Sequence, residues 1–417
     1  MNDLTGTISR RTVLAGALAL AFGRSAYAQS GYVYPSYPKP GELLRKDVDG
    51  SRRIVPAPAK DYWPYAGISG PGAPVTPETA RGGWTSGMPN VRYKGPVPRS
   101  YPTAARGDAD SGKALLEGLL PDVKPLWDVH IGDTIICLGG DGNYYMTGST
   151  GDNIWALNDG VELWRSPDMK TWHYLGLVWS IERDGTWEKN WTMRAGVPFR
   201  AIWAPEIHYI AGQYIICTSI SGVGIGLLKS SSGKPEGPYV HVISNDLPIK
   251  GNIDSTLFED DDGRIYLTYG SAQVIREIAR DFSRFVSDWE PLVFDEPDLN
   301  PDHHRGKDEK SLRGLGYEGA TLFKAKGKYY LGCCDRFYGR YSFAFAIADK
   351  IHGPYRQRHE GAPCGGGGNV FRDKQGRWWQ TLFGNDDWSS FREKPGIVAI
   401  DFDSRGHVVV AKRQPTL

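Results

Sequence analysis

Three acidic residues, Asp133, Asp254 and Glu318, each stand nine residues ahead of a glycine that opens a tight turn. Carboxyls brought to equivalent places of a repeated structure repel one another once partly desolvated, unless one keeps its proton or a cation is present. Catalysis supplies a reason to hold them together. Hydrolysis of a glycosidic bond needs a protonated carboxyl to donate to the leaving oxygen and an ionised one to activate water or attack the sugar. Glu318 lies in Gly316-Tyr317-Glu318-Gly319-Ala320, where small neighbours leave room for a substrate and Tyr317 shields the carboxyl. Such shielding raises the pKa, as an acid requires. A structural hydrogen-bonding role on an inner strand is the alternative for each acid taken singly.

The elements that must position these residues are visible as a repeat. A glycine turn followed by an aromatic strand occurs in Asp141-Gly142-Asn143-Tyr144-Tyr145, Ala211-Gly212-Gln213-Tyr214, Asp262-Gly263-Arg264-Ile265-Tyr266, Lys326-Gly327-Lys328-Tyr329-Tyr330 and Gln375-Gly376-Arg377-Trp378-Trp379. The five glycines are 70, 51, 64 and 49 residues apart. Glycine tolerates positive φ, so each copy predicts a hairpin inside a larger unit. Units of this size fit four-stranded blades with enlarged loops, and five of them predict an all-β, five-bladed β-propeller. A β-sandwich would not explain the fivefold phrase. Nine residues before the glycines stand Asp133, Trp203, Asp254, Glu318 and Gly367, which the repeat places around one pseudo-symmetry axis.

The rest of the chain frames this domain. Residues 1–28 carry Ser9-Arg10-Arg11-Thr12-Val13-Leu14, an apolar run over 15–22 and Ala26-Tyr27-Ala28, the pattern of a cleaved twin-arginine export signal. The expected location is therefore the periplasm or the exterior. Residues 29–120 are rich in Pro and Gly without sustained periodicity, and read as an irregular arm that wraps or links to the catalytic domain at 121–417. No later apolar stretch is long enough to span a membrane. With 49 basic and 48 acidic residues the net charge is +1, so no long-range field favours nucleic acid or an anionic membrane, and a neutral partner fits better. Five cysteines, an odd number, imply no disulfide framework. The 14 Trp, 22 Tyr and 14 Phe provide flat rings suited to sugar faces, although all-β cores are also aromatic-rich.

Around the acids, Trp203 in the equivalent slot of the second unit is a candidate stacking platform, with Trp187 and Trp191 of a long insertion as a wall over the substrate. Glu206, His208, His130 and Tyr317 are candidate contacts to sugar hydroxyls, and Asp128 ranks behind Asp133 because it breaks the offset. Asp260-Asp261-Asp262-Gly263 lacks the alternating ligands of a calcium loop and reads as a hairpin tip. Gly222-Val223-Gly224-Ile225-Gly226 is followed by no helix pattern and is set aside as a nucleotide fingerprint. The polar run 301–310 reads as a solvated rim loop.

Gly132-Asp133-Thr134, Trp203-Ala204-Pro205-Glu206-Ile207, Ile253-Asp254-Ser255-Thr256-Leu257-Phe258 and Tyr317-Glu318-Gly319-Ala320, with Gly237-Pro238-Tyr239 and Gly353-Pro354-Tyr355, resemble the five-bladed hydrolases of glycoside hydrolase family 43 and their relatives over 121–417. The resemblance implies Asp133 as general base, Asp254 as the residue that orients the acid and tunes its pKa, and Glu318 as general acid. Two departures point to a divergent member or a neighbouring family, such as that of the agar-oligosaccharide hydrolases. Thr134 replaces the usual proline, and Cys364 followed by Gly365, Gly366, Gly367 and Gly368 stands where members often carry a histidine facing a central metal or water. No cofactor is therefore expected, with a structural calcium ion as the alternative. The expected activity is release of a terminal sugar from an oligo- or polysaccharide, with inversion because base and acid lie two blades apart. A polysaccharide lyase and a non-catalytic sugar-binding propeller are the alternatives.

Overall fold

The computed structural model describes residues 42–46, 52–56, 74–75, 126, 131–150, 158, 160–194, 197–199, 201–221, 223–295, 315–337, 340–383 and 395–417. The export signal at 1–28, Asp128, His130 and the loop 301–310 lie outside them, as does the arm at 29–120 apart from three short strands. Glu42–Lys46 pairs with Arg52–Pro56, and Pro74–Val75 adds an edge strand against Trp172 and His173.

Alternating apolar and aromatic residues broken by turn glycines give five antiparallel sheets. Blade I comprises Gly132–Leu138, Tyr144–Ser149, Gly160–Ser166 and Trp172–Ser180, and blade II comprises Ile202–Ile210, Gln213–Ile220, Gly224–Ser230 and Tyr239–Val242. Blade III is Ser255–Glu259, Ile265–Tyr269, Val274–Ile278 and Glu290–Pro291, and blade IV is Glu318–Ala325, Lys328–Phe337, Arg340–Ala348 and Arg356–Glu360. Blade V is Val370–Arg372, Trp378–Leu382, Gly396–Phe402 and Val408–Val410. The first strand of each blade touches the first strands of both neighbours, so the five form a closed ring. The architecture is the five-bladed propeller that the repeat predicts.

The turn phrases sit at the hairpin between first and second strands, in two forms set by loop length. Blades II and IV turn on two residues, Ala211-Gly212 and Lys326-Gly327, all four with positive φ. Blades I, III and V use five-residue loops in which only the glycine has positive φ. The Asp260-Asp261-Asp262-Gly263 segment is such a tip, and it staples blade III to blade IV: Lys324 Nζ lies 2.7 Å from Asp260 Oδ1, and the Tyr329 hydroxyl donates to Asp260 Oδ2.

The apolar core is divided among the five seams. Trp179 and Val161 meet Ile207 and Ile216 between blades I and II, and Ile215 and Leu227 meet Leu257 and Leu267 between II and III. Tyr266 and Ile275 meet Leu322 and Leu331, Phe323 and Phe345 meet Leu382 and Val398, and Phe371 and Trp379 return to Ile136 and Trp164 of blade I. Each fully buried side chain of this size contributes roughly 1.5–3 kcal/mol of apolar burial. Among the described residues no strand is exchanged to close the ring. The Asn369 side chain of blade V instead accepts from the Ile136 N–H at 3.1 Å and donates to its carbonyl at 2.9 Å, taking the place of a neighbouring strand.

Candidate active site

The first strands carry the candidate residues at one end, and the backbone there departs from ideal pairing in every blade. Asp133, Ala204, Asp254, Gly319 and Gly367 all have positive φ, at 49°, 42°, 54°, 68° and 68°. Register shifts accompany three of them, between Gly132 and Ile135, Trp203 and Glu206, and Glu318 and Thr321. Bulges of this kind re-aim side chains next to sites, and a left-handed conformation at a residue with a Cβ stores strain of order 1–3 kcal/mol. Asp133 and Asp254 occupy the left-handed position itself, whereas Trp203 and Glu318 precede it. The nine-residue offset thus brings five equivalent places to one mouth.

The carboxyls share one electrostatic environment. Burial holds Asp254 well above the usual carboxylate range, with the charges of Glu318 and Asp133 adding to it and Glu206 contributing a smaller push. The Gly319 N–H opposes these by donating to Asp254 Oδ2 at 2.9 Å. A proton is therefore kept among these groups at a pH where an isolated carboxyl has lost its own. Asp133 is fixed by the Ser149 hydroxyl, which donates to its Oδ2 at 2.6 Å and accepts from the Ala204 N–H at 2.8 Å, tying blade I to blade II. Glu318 Oε1 accepts from the Tyr341 hydroxyl at 2.8 Å. Asp133, Trp203, Asp254, Tyr317 and Glu318 are all half-buried, open enough to meet a ligand.

Further candidates divide between mouth and core. Glu206 is 6 % exposed and its Oε1 lies 3.3 Å from His208 Nε2, the nitrogen that also faces the Leu257 N–H at 3.4 Å. Glu206 is near enough for its charge to add a small push to the Asp254 carboxyl. Trp187 differs from expectation. It is 2 % exposed, lies in the short 3-10 turn Trp187–Asn190, and packs in the seam between blades I and II, so it presents no face to a sugar. Trp191 is half-buried against the same seam. Their insertion supplies core, and the apolar mass of indole wins over its use as a platform.

Three features of the mouth have no local signal in the sequence: Ser149, Tyr341 and Cys334. Cys334 Sγ accepts from the Gly367 N–H at 3.0 Å, and burial pushes its thiol well up. All five cysteines are free thiols. The glycine run of blade V contributes backbone alone. A Cβ on Gly367 would lie 2.1 Å from Phe383 Cε1 and 2.9 Å from Asp133 Oδ1, and one on Gly366 would lie 2.6 Å from the Tyr341 ring. No donor side chain stands at this station, and among the described residues no three His, Cys, Asp or Glu side chains group as metal ligands. A metal held from this station of blade V does not fit the chain.

Residues 124–408 match the sequence model of the glycosyl hydrolases family 43. The chain belongs to that family. Among family 43 relatives in sequence, it is 30 % identical over 212 residues to the β-D-galactofuranosidase xynD of Aspergillus niger, covering 46 % of this chain and 53 % of that protein. It is 27 % identical over 235 residues to the extracellular endo-α-(1→5)-L-arabinanase 1 of Bacillus subtilis, covering 52 % and 67 %. The chain thus spans about half the length of the first of these relatives. The fold is shared with the GH43_1 enzyme from Xanthomonas citri complexed with xylose, at a TM-score of 0.54 and 18 % identity over 73 % of this chain and 96 % of that one.

Proposed function

We propose that this family 43 protein hydrolyses glycosidic bonds in saccharides of the arabinan, xylan or galactofuranose type, using Asp133 as base and Glu318 as acid. The observation that carries this reading is the half-buried Asp254, whose ionisation is opposed by Glu318 and Asp133 arriving from two other blades. Such a grouping is costly for stability and suits proton transfer to a leaving oxygen. In this reading Ser149 aims the Asp133 carboxylate at a water, and Asp254 keeps the proton available to Glu318. Trp203 offers its face to the sugar ring, and Tyr317, Glu206 and His208 are its further contacts. The galactofuranose and arabinan classes are drawn from the two sequence relatives, and the xylan class from the solved family 43 enzyme complexed with xylose. Export through the arginine-paired signal at 1–28 would bring the enzyme to such polymers.

Base and acid stand two blades apart across the ring, which leaves space for a water between carboxyl and anomeric carbon. Separations of about 6.5–9.5 Å give inversion and about 5–5.5 Å retention. Incubation with aryl α-L-arabinofuranosides, xylosides and galactofuranosides, followed by proton NMR of the first-formed sugar, tests both parts. The expected result is turnover of at least one glycone with inverted anomeric configuration. Retention, or a glycosyl adduct on Asp133, would make that residue a nucleophile, and no release from any of the three classes would overturn the substrate assignment.

A further inference from the structure

We infer that Tyr341 is a positioning residue for the acid, and that the glycine run of blade V serves to seat its ring against Glu318. The inference rests on the reading of Glu318 as acid. Tyr341 lies in the third strand of blade IV, is 3 % exposed, and donates its hydroxyl hydrogen to Glu318 Oε1 at 2.8 Å. A phenol that donates to Oε1 directs the carboxylic proton to Oε2, fixing which oxygen delivers it. Hydrogen bonding to the ionised form also lowers the acid's pKa, opposing the desolvation of a half-buried carboxyl.

The seat is built from blade V. The Gly366 backbone lies flat on the Tyr341 ring, where a Cβ would come to 2.6 Å, and its N–H faces the Tyr341 carbonyl at 3.2 Å. Phe383 meets the ring edge-on at 6.3 Å, and Tyr317 lies 6.2 Å away on blade IV. Next to Gly366, Gly367 is pinned by its N–H to Cys334 Sγ and lies against Asp133 Oδ1. One stretch of bare backbone therefore touches the base directly and the acid through Tyr341. This gives a physical reason for consecutive glycines at 365–368: each backbone approach leaves no room for a side chain.

Tyr341→Phe keeps the ring and removes the hydroxyl. In an aryl glycoside series on a glycone that the parent enzyme turns over, the expected loss is at least tenfold for poor leaving phenols and small for nitrophenols, which leave without a proton. The basic limb of the kcat/KM profile should move up by about one pH unit, since the ionised acid loses a charge-assisted hydrogen bond. A second measurement needs no turnover. The Tm deficit of Tyr341→Phe should grow as pH rises through the acid's titration, and should lose that pH dependence in the Glu318→Gln background, where the amide oxygen still accepts from the hydroxyl but does not titrate. A deficit independent of pH and of Glu318, with an unchanged leaving-group dependence, overturns the inference and leaves the functional reading intact. Absence of glycosidase activity in the parent overturns that reading, while the pH-dependent Tm still reports whether the tyrosine acts on the carboxyl.

Discussion

Glycine is used for opposite reasons at the two ends of the first strands. At the hairpin end, Gly142, Gly212 and Gly327 have φ of 76°, 76° and 73°, and a Cβ added to any of them would meet nothing within 4 Å. They are glycines for conformation. At the mouth, Gly365, Gly366, Gly367 and Gly368 are hemmed in, with added Cβ atoms falling 2.3 Å from Gln380, 2.6 Å from Tyr341, 2.1 Å from Phe383 and 2.4 Å from Thr381. These are glycines for space, although Gly367 also has positive φ. At the same mouth Asp133, Ala204 and Asp254 hold left-handed backbone without being glycine. One end is arranged for folding, and the other accepts strain so that side chains converge.

The contrast breaks most visibly if mouth residues prove dispensable. Asp133→Asn and Glu318→Gln should each lower kcat by about a thousandfold or more, given the 10²–10⁴ expected for one proton-transfer group and the loss of its partner's role, with unchanged circular dichroism. Near-normal rates in Asp133→Asn would move the base to another residue. A smaller effect is expected from Gly367→Ala, which forces a methyl toward Asp133 and Phe383. The predicted drop in kcat is about ten- to a hundredfold with a destabilisation of roughly 1–3 kcal/mol, whereas Gly142→Ala should cost about 1 kcal/mol in urea unfolding and leave kcat unchanged.

Stability away from the mouth has its own titration. His359, between the last strands of blades IV and V, accepts from the Val408 N–H at Nε2 and pairs with the Gln357 carbonyl at Nδ1, while stacking on His407 at 4.2 Å. Burial is the main cause that lowers its pKa from 6.5 to about 4. The unfolded chain takes up a proton near pH 6.5 that the folded one refuses until about 4, so the stabilisation is present above pH 6.5 and lost as pH falls through that window. At about 1.4 kcal/mol per unit this amounts to about 3 kcal/mol, and His359→Asn should flatten the urea-unfolding profile between those pH values. The smallest effect is expected from Ala204→Gly, which relieves a φ of 42° and should raise stability by about 1 kcal/mol. A loss there would mean that the mouth stores no strain at Ala204.

The sequence makes the repeat legible because each hairpin announces itself locally: glycine, then aromatic, at a fixed place. Counting back from those glycines reaches Asp133, Asp254 and Glu318 because the shorter turns of blades II and IV are offset by longer first strands. The count reaches no further. Tyr341 touches Glu318 across 23 residues of chain and Ser149 touches Asp133 across 16, contacts made by pairing of non-equivalent strands that leave no spacing to read. Trp187 departs from expectation for a different reason. Composition alone cannot distinguish an indole for a sugar face from one for a seam, and the seam between blades I and II took it. The glycine run was visible as a departure from the family pattern, but its meaning depends on the Tyr341 ring above it.

Beside the apolar seam of blades V and I, the Asn369 clip holds the backbone of Ile136, three residues along the strand from Asp133. If this junction is the first to open, warming should part the clip before the sheets melt. Base and acid would then drift apart within intact blades, so inactivation should precede loss of the far-ultraviolet signal, and Asn369→Ala should widen the gap between the two temperatures. The fastening that completes the circle also acts as the thermal fuse of its chemistry.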